Sequence, residues 1–206
     1  FFVWGAWFVT LGTFLATNLR ASGEQTGLVF ATQSWGAIVA PLFVGLVADR
    51  FVNAERIFAL LHLAGAVLLW RMDAAPEFAS FYPLALAYMI VYMPTLALAN
   101  AVCFRQMRDT TTEFPPVRMW GTVGWIVAGL AISYAFAWDD RANIAAGALR
   151  NTFLLAAVAS AVLGLYGFSL PATPPVRGGG SQVRALLGVE ALGLLKDRNF
   201  AVFFCS

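Results

Sequence analysis

The sequence predicts an all-α polytopic membrane protein whose chain crosses the bilayer six times. The 206 residues are 60% hydrophobic and only 12% charged, whereas a soluble domain carries about 25% charged residues. The mean hydropathy is +0.75. The apolar residues also occur in stretches of roughly 20, the length that an α-helix needs to cross the hydrocarbon core. These three observations place the chain among membrane proteins before any motif is considered.

Six segments have the length and composition of a spanning helix. They are roughly residues 1–18, 26–48, 56–72, 80–103, 114–138 and 151–170. We expect residues 1–170 to fold as a transmembrane bundle of these six helices. The first segment begins at Phe1 without a methionine or a basic region before it, and a further apolar segment is interrupted at Ser206. We therefore expect a fragment that is truncated at both ends.

A polar connection follows the sixth segment. It begins with a proline-rich stretch at residues 171–175, which stiffens the chain, and continues with Gly178–Gly180, which loosens it. We expect residues 171–199 to be a cytoplasmic linker with a short helix, and residues 200–206 to begin a seventh spanning helix. Six spans, a long linker and a new span are typical of the N-terminal half of a twelve-helix transporter.

Basic residues indicate the orientation of the bundle. If residue 1 lies toward the cytoplasm, the cytoplasmic loops contain Arg50, Arg56, Arg105, Arg108, Arg177, Arg184, Lys196 and Arg198. The opposite loops contain Arg20, Arg71, Arg141 and Arg150. Because cytoplasmic loops carry the excess of Lys and Arg, we expect both ends of the six-helix bundle in the cytoplasm.

The fifth segment contains a cation within an apolar helix. At about 100° per residue, Arg118, Thr122 and Trp125 fall on one stripe about 60° wide. The neighbouring stripe contains the small residues Gly121, Gly124 and Ala128. Because charge at membrane depth is costly, an intramembrane arginine is a candidate for function. The trio suits a polar, ring-bearing solute, but Arg118 lying one turn inside the membrane and reaching the headgroups explains the cation equally well.

Residues 114–125, Phe-Pro-Pro-Val-Arg-Met-Trp-Gly-Thr-Val-Gly-Trp, resemble a signature of the nucleoside:proton symporters, a family within the major facilitator superfamily. Matching stretches occur in the same order at Trp4–Trp7, Tyr92–Leu96 and Leu186–Gly188. The resemblance therefore covers nearly the whole chain. It implies the N-terminal six-helix bundle of a major facilitator superfamily transporter and the start of a seventh helix.

The resemblance implies proton-coupled nucleoside uptake by alternating access in a bacterial cytoplasmic (inner) membrane. In the family, the arginine, threonine and aromatic residue of the fifth helix line the nucleoside cavity, which assigns substrate binding to Arg118, Thr122 and Trp125. The implied partners are a nucleoside, a proton, the lipid bilayer and the missing C-terminal half. A carrier of the same superfamily for another polar solute, such as a sugar, is the alternative, because Arg118 and Trp125 suit either.

Asp49 and Arg50 lie in a stretch that resembles the superfamily's loop signature between helices 2 and 3. An acid and a base at a helix end can pair with facing helix termini and hold one transporter state. The resemblance therefore implies a gating loop. The alternative is an ordinary solvated turn, since Val52 stands where the signature has glycine.

Further polar residues lie within the third and fourth segments. His62 is the only histidine; it could relay protons, but we expect a hydrogen-bonded role between helices. Tyr88, Tyr92 and Thr95 share a face on which we expect packing rather than solute contact. All acidic residues lie in loops or at helix ends, so we expect the coupling acid in the missing half.

Composition and motifs disfavour other classes of protein. The net charge of +2 is too small to indicate a nucleic-acid partner. A membrane enzyme lacks support, because there is no Gly-x-Ser-x-Gly or His-Glu-x-x-His motif. Cys103 and Cys205 have no metal-ligand spacing, and we expect no metal or cofactor. A structural scaffold has no need to retain the polar stripe of the fifth segment.

Overall fold

The computed structural model describes residues 1–43 and 52–174 of the chain. Within these two ranges the regular structure is helical throughout. The α-helices are α1 (Phe2–Phe8), α2 (Leu11–Thr17), α3 (Gly23–Phe43), α4 (Ala54–Asp73), α5 (Phe78–Gln106), α6 (Thr110–Leu130), α7 (Arg141–Ala145) and α8 (Asn151–Gly167). The predicted gating residues Asp49 and Arg50 lie outside the described residues. So do the linker beyond residue 174 and the expected start of a seventh helix.

These helices correspond to the six segments that the sequence predicts. α1 and α2 together form the first segment, and α3, α4 and α5 form the next three. α6 continues into a π-helical turn, Ala131–Ala135, to complete the fifth. A 3-10 turn, Ala148–Arg150, leads into α8, which is the sixth. The short α7 lies in the connection between the last two segments.

The first segment is not the single helix that the sequence predicts. α1 ends at Phe8 and α2 begins at Leu11, with Thr10 between them at φ −97° and ψ 1°. The Thr10 hydroxyl donates to the carbonyl of Trp7 at 3.4 Å. Such a side-chain bond offers the backbone an alternative to the helical ladder. The apolar pattern runs through this break, so hydropathy alone does not reveal it.

Two helical stretches of the described residues, Phe78–Gln106 and Ala148–Gly167, are by themselves long and apolar enough to cross a membrane. The stretch Phe2–Thr17 is apolar but shorter. Polar groups occupy other helices: Arg118 lies within α6, and α4 has a charged residue in both its first and its last turn. Such helices depend on their neighbours to cover these groups in a bilayer.

Glycines mark the closest helix contacts of the bundle. A Cβ atom on Gly36 of α3 would lie 2.5 Å from the carbonyl oxygen of Met89 in α5. A Cβ atom on Gly164 of α8 would lie 2.9 Å from the side chain of Leu63 in α4. Real Cβ atoms do not approach other atoms this closely, so glycine is what allows the backbones to meet. α5 is thereby fixed against α3, and α8 against α4.

A cluster of fully buried aromatic rings joins α1, α2, α5 and α8. Its members are Trp7, Phe14, Phe81, Tyr88 and Phe153. The ring centroids of Phe14 and Phe153 are 4.8 Å apart, and those of Trp7 and Tyr88 are 5.4 Å apart. Aromatic pairs in such edge-to-face geometry contribute about 0.5–1.5 kcal/mol beyond the area that they bury. The cluster therefore holds α1 and α5 in a fixed relation to each other.

Glu55, in the first turn of α4, binds the chain that follows α8. Its side chain is only 4% exposed. One carboxylate oxygen accepts from the backbone N–H of Thr173 at 2.8 Å, and the other accepts from the side-chain amide of Asn53 at 3.0 Å. The N–H of Ala54 also donates to the carbonyl of Thr173 at 3.1 Å. The chain is therefore anchored to α4 just after the bundle ends, a contact that no sequence motif predicts.

Candidate solute-binding site

A cavity of about 290 Å³ lies between α1, α4, α5 and α6. Aromatic rings of its wall belong to Phe1, Trp4, Phe58, Tyr92 and Phe114. Polar side chains of its wall belong to His62, Thr95, Asn100 and Arg118. The volume is at the lower end of the range of about 300–1,000 Å³ that small-molecule sites occupy. Flat apolar faces combined with donors and acceptors suit a polar solute that contains a ring.

α6 begins at Thr110, four residues earlier than the sequence predicts. Asp109 caps the helix, since its carboxylate accepts from the backbone N–H of Thr111 at 2.9 Å and from the hydroxyl of Thr112 at 2.8 Å. The Thr112 hydroxyl, followed by the Thr111 amide, lowers the pKa of Asp109 below its ordinary value. Pro115–Pro116, expected at the helix start, consequently lies inside the helix.

Arg118 follows these prolines on α6 and lines the cavity. Its guanidinium carbon lies 4.3 Å from the centroid of the Phe1 ring, which is within the range of a cation–π contact. The side chain is otherwise exposed among the described residues, so its N–H donors are available to a solute. The position agrees with the cavity interpretation of the sequence. Contact between Arg118 and a solute stays a prediction.

The other two predicted site residues have different surroundings. Trp125 is half-buried, and its ring centroid lies 5.2 Å from that of Trp4 and 6.3 Å from that of Phe8. Trp4 itself lines the cavity, so Trp125 acts on the described cavity by supporting its wall. Thr122 is exposed on α6 and does not line the cavity. Arg118 therefore lines the cavity directly. Trp125 contacts the cavity wall only through Trp4, and Thr122 lies on an open helix face.

The small-residue stripe of α6 packs against α1. A Cβ atom on Gly121 would lie 2.6 Å from the ring of Phe1, and one on Gly124 would lie 3.4 Å from the backbone nitrogen of Phe2. Ala128 is fully buried on the same stripe. Close approach of the two helices is what places Arg118 beside the aromatic residues of α1.

α4 and α5 contribute more of the cavity wall than the sequence predicts. His62 makes the predicted interhelical hydrogen bond, because its Nδ1 lies 3.2 Å from the hydroxyl oxygen of Ser160 in α8, but it also lines the cavity. Tyr92 and Thr95 line the cavity as well, whereas Tyr88 is fully buried in the aromatic cluster. The resemblance at Tyr92–Leu96 was the available signal for this part of the wall.

Three buried polar atoms have no hydrogen-bond partner within the described residues. They are Nε1 of Trp4, Nε1 of Trp7 and the hydroxyl oxygen of Tyr88. Native structures leave few buried polar groups unpaired, and each such group costs about 1–3 kcal/mol. Trp4 lines the cavity, whereas Trp7 and Tyr88 are fully buried in the core. Across the described ranges, no three His, Cys, Asp or Glu residues are grouped to hold a metal ion.

Known proteins resemble this chain over its whole length. It is 41% identical to YegT of Escherichia coli (strain K12) over 206 residues, which are 100% of the chain and 48% of that protein. It is 32% identical to the xanthosine permease and 30% identical to the nucleoside permease NupG of the same organism, in each case over 99% of the chain and 48% of the relative. The chain thus spans about half the length of the curated relatives that it matches.

Solved structures give the same result for the fold. The crystal structure of a point mutant of the nucleoside transporter NupG superposes on 100% of the chain and 50% of that protein, with a TM-score of 0.87 and 30% identity. A second NupG crystal structure gives a TM-score of 0.82 at 29% identity. These matches confirm the predicted fold class, the N-terminal six-helix bundle of a major facilitator superfamily transporter. The profile of the Nucleoside H+ symporter family covers residues 1–206, and the chain belongs to this family.

Proposed function

We propose that this chain forms the N-terminal half of a transporter that takes up nucleosides together with protons by alternating access. Membership of a transporter family supports this function rather than an enzymatic one. The observation that supports the proposal most directly is the position of Arg118, which lies on the wall of an aromatic-lined cavity. The bacterial relatives support a multi-pass location in the cytoplasmic (inner) membrane.

The proposed substrate contacts follow from the chemistry of the wall. The guanidinium of Arg118 offers forked N–H donors to the carbonyl oxygens of a base or to the oxygens of a ribose. Tyr92 and Trp4 offer ring faces against which a planar base can stack. Thr122 lies on the open face of α6, and we keep it as a proposed substrate contact on the resemblance alone. Trp125 supports Trp4 and fixes the aromatic side of the site.

The proposed proton coupling needs a carboxylate that the described residues do not offer at the cavity. Within the described ranges Glu55 is the buried acid. Both of its carboxylate oxygens are occupied, by Thr173 and Asn53. Its place in the first turn of α4 serves to anchor the chain. We therefore assign the coupling acid to the other half of the transporter, and we keep Asp49 and Arg50 as the proposed gating loop on the resemblance alone.

Uptake into proteoliposomes that contain the intact transporter tests this function. A proton gradient should drive accumulation of radiolabelled uridine, and excess unlabelled adenosine or uridine should compete. An excess of glucose or maltose should leave uptake unchanged, because the family match favours nucleosides over the sugar alternative. Hexose competition without nucleoside competition would overturn the proposal. Uptake that continues unchanged after an ionophore has collapsed the gradient would remove the proton coupling.

A further inference from the structure

His62 of α4 is a constrained polar group on the cavity wall. It is 3% exposed and lines the cavity. Its ring centroid lies 4.5 Å from that of Phe58 and 6.0 Å from that of Tyr92, both in edge-to-face contact. These two rings and the bond to Ser160 restrict the imidazole, so the direction of each ring nitrogen is fixed by the fold.

Ser160 determines which nitrogen of His62 carries the proton. The hydroxyl oxygen of Ser160 lies 2.8 Å from the carbonyl oxygen of His62 and 3.2 Å from Nδ1 of the same residue. A carbonyl oxygen only accepts, so the single hydroxyl proton of Ser160 is directed to it. The second contact then requires Nδ1 to donate. The neutral imidazole is therefore the Nδ1–H tautomer, and its Nε2 is an acceptor.

Nε2 of His62 is left without a partner from the described part of the chain. The hydrogen bonds of the side chain involve Nδ1. Nδ1 is held against Ser160 of α8, and the residue lines the cavity. Nε2 is therefore the ring nitrogen that is left to meet a solute.

We infer that Nε2 of His62 accepts a hydrogen bond from a donor group of the bound nucleoside, either a ribose hydroxyl or a base N–H. The inference rests on the proposed function, since it requires a nucleoside in this cavity. Arg118 only donates, whereas Nε2 of His62 accepts. An acceptor on α4 and a cationic donor on α6 together select a solute that carries both acceptors and donors.

Two substitutions at His62 separate the roles of its nitrogens. His62→Asn keeps an amide near the position of Nδ1, where it can still bind Ser160, but it removes the acceptor at Nε2. His62→Gln extends further and can place its carbonyl oxygen near the position of Nε2. In the intact transporter we expect His62→Asn to bind uridine about five- to a hundredfold more weakly than wild type. His62→Gln should recover part of that loss.

Uridine analogues identify which donor group of the nucleoside hydrogen-bonds to His62. N3-methyluridine lacks the base N–H, and 2′-, 3′- and 5′-deoxyuridine each lack one ribose hydroxyl. The analogue that lacks the relevant donor should bind more weakly than uridine to wild type, but equally to His62→Asn, as a double-mutant cycle requires. Equal penalties for every analogue in both proteins would overturn the inference, as would unchanged uridine affinity in His62→Asn. Absence of uridine binding by wild type would instead refute the proposed function.

Nitrogen-15 NMR of the intact transporter, labelled at histidine, tests the inference without depending on a folded Asn variant. The His62 signals, assigned by their absence from His62→Gln, should show a protonated Nδ1 and an unprotonated Nε2. Saturating uridine should shift the Nε2 signal in the direction of an accepted hydrogen bond. A protonated Nε2 in the free protein, or an Nε2 signal that saturating uridine leaves unchanged, would overturn the inference.

Discussion

Gly36→Ala tests whether helix packing behind the cavity controls the site. The added Cβ atom would lie 2.5 Å from the carbonyl oxygen of Met89 and 2.8 Å from the side chain of Met93. A backbone oxygen cannot yield without displacing α5, which also carries Tyr92 and Thr95 on the cavity wall. Overpacking of this kind costs about 1–3 kcal/mol. This exceeds the roughly 0.5–1 kcal/mol by which alanine favours a helix over glycine.

Gly27→Ala is the matched control, because Gly27 belongs to the same helix and a Cβ atom there would have nothing within 4 Å. The assay is thermal unfolding of the intact transporter in detergent, followed by tryptophan fluorescence, together with uridine affinity. Gly36→Ala should unfold at a lower temperature than Gly27→Ala and should bind uridine more weakly. Equal unfolding temperatures for the two variants would refute the packing argument.

Three further predictions concern the loop, the core and the cap of α6. In the intact transporter, Asp49→Asn should change the transport rate more than the uridine affinity; an unchanged rate at matched protein levels would identify an ordinary solvated turn. Tyr88→Phe removes a buried hydroxyl that has no partner in the described residues, so the unfolding temperature should hold or rise, and a fall would show that the intact protein binds this hydroxyl. The pKa of Asp109 is lowered in the folded state, so its cap stabilises the fold above the ordinary aspartate pKa and is lost as pH falls through the folded-state value. The difference in unfolding temperature between wild type and Asp109→Ala should therefore shrink toward acid pH, and a constant difference would contradict the linkage.

The helical segments were predictable because hydropathy reports burial of a whole helix. The ends of these helices were less predictable, because local hydrogen bonds determine where a helix begins and ends. Asp109 starts α6 a full turn early by capping it, and Thr10 interrupts the first segment by bonding to Trp7. Both residues are small and polar within or beside apolar stretches, and their effect depends on backbone geometry that a hydropathy pattern does not contain.

The site was only partly predictable, because some of its residues depend on contacts between helices that are distant in the sequence. Arg118 attracts notice in the sequence because a cation inside an apolar helix is costly. The significance of His62 depends on Ser160, which is 98 residues away in the chain. The anchoring of Thr173 by Glu55 joins residues 118 apart. Contacts of this kind follow from how helices are arranged, and periodicity within one helix does not predict them.

The most direct test of the proposed site is the uridine affinity of Arg118→Ala in the intact transporter, measured by isothermal titration calorimetry. Losing the guanidinium would leave solute acceptors unpaired at about 1–3 kcal/mol, so the variant should remain folded and bind about five- to a hundredfold more weakly. Arg118→Lys should recover only part of the loss, because lysine lacks the planar fork. Arg141→Ala, at an exposed arginine of α7, should bind like wild type. Wild-type affinity in a folded Arg118→Ala protein would contradict the assignment and favour an arginine that serves the membrane surface.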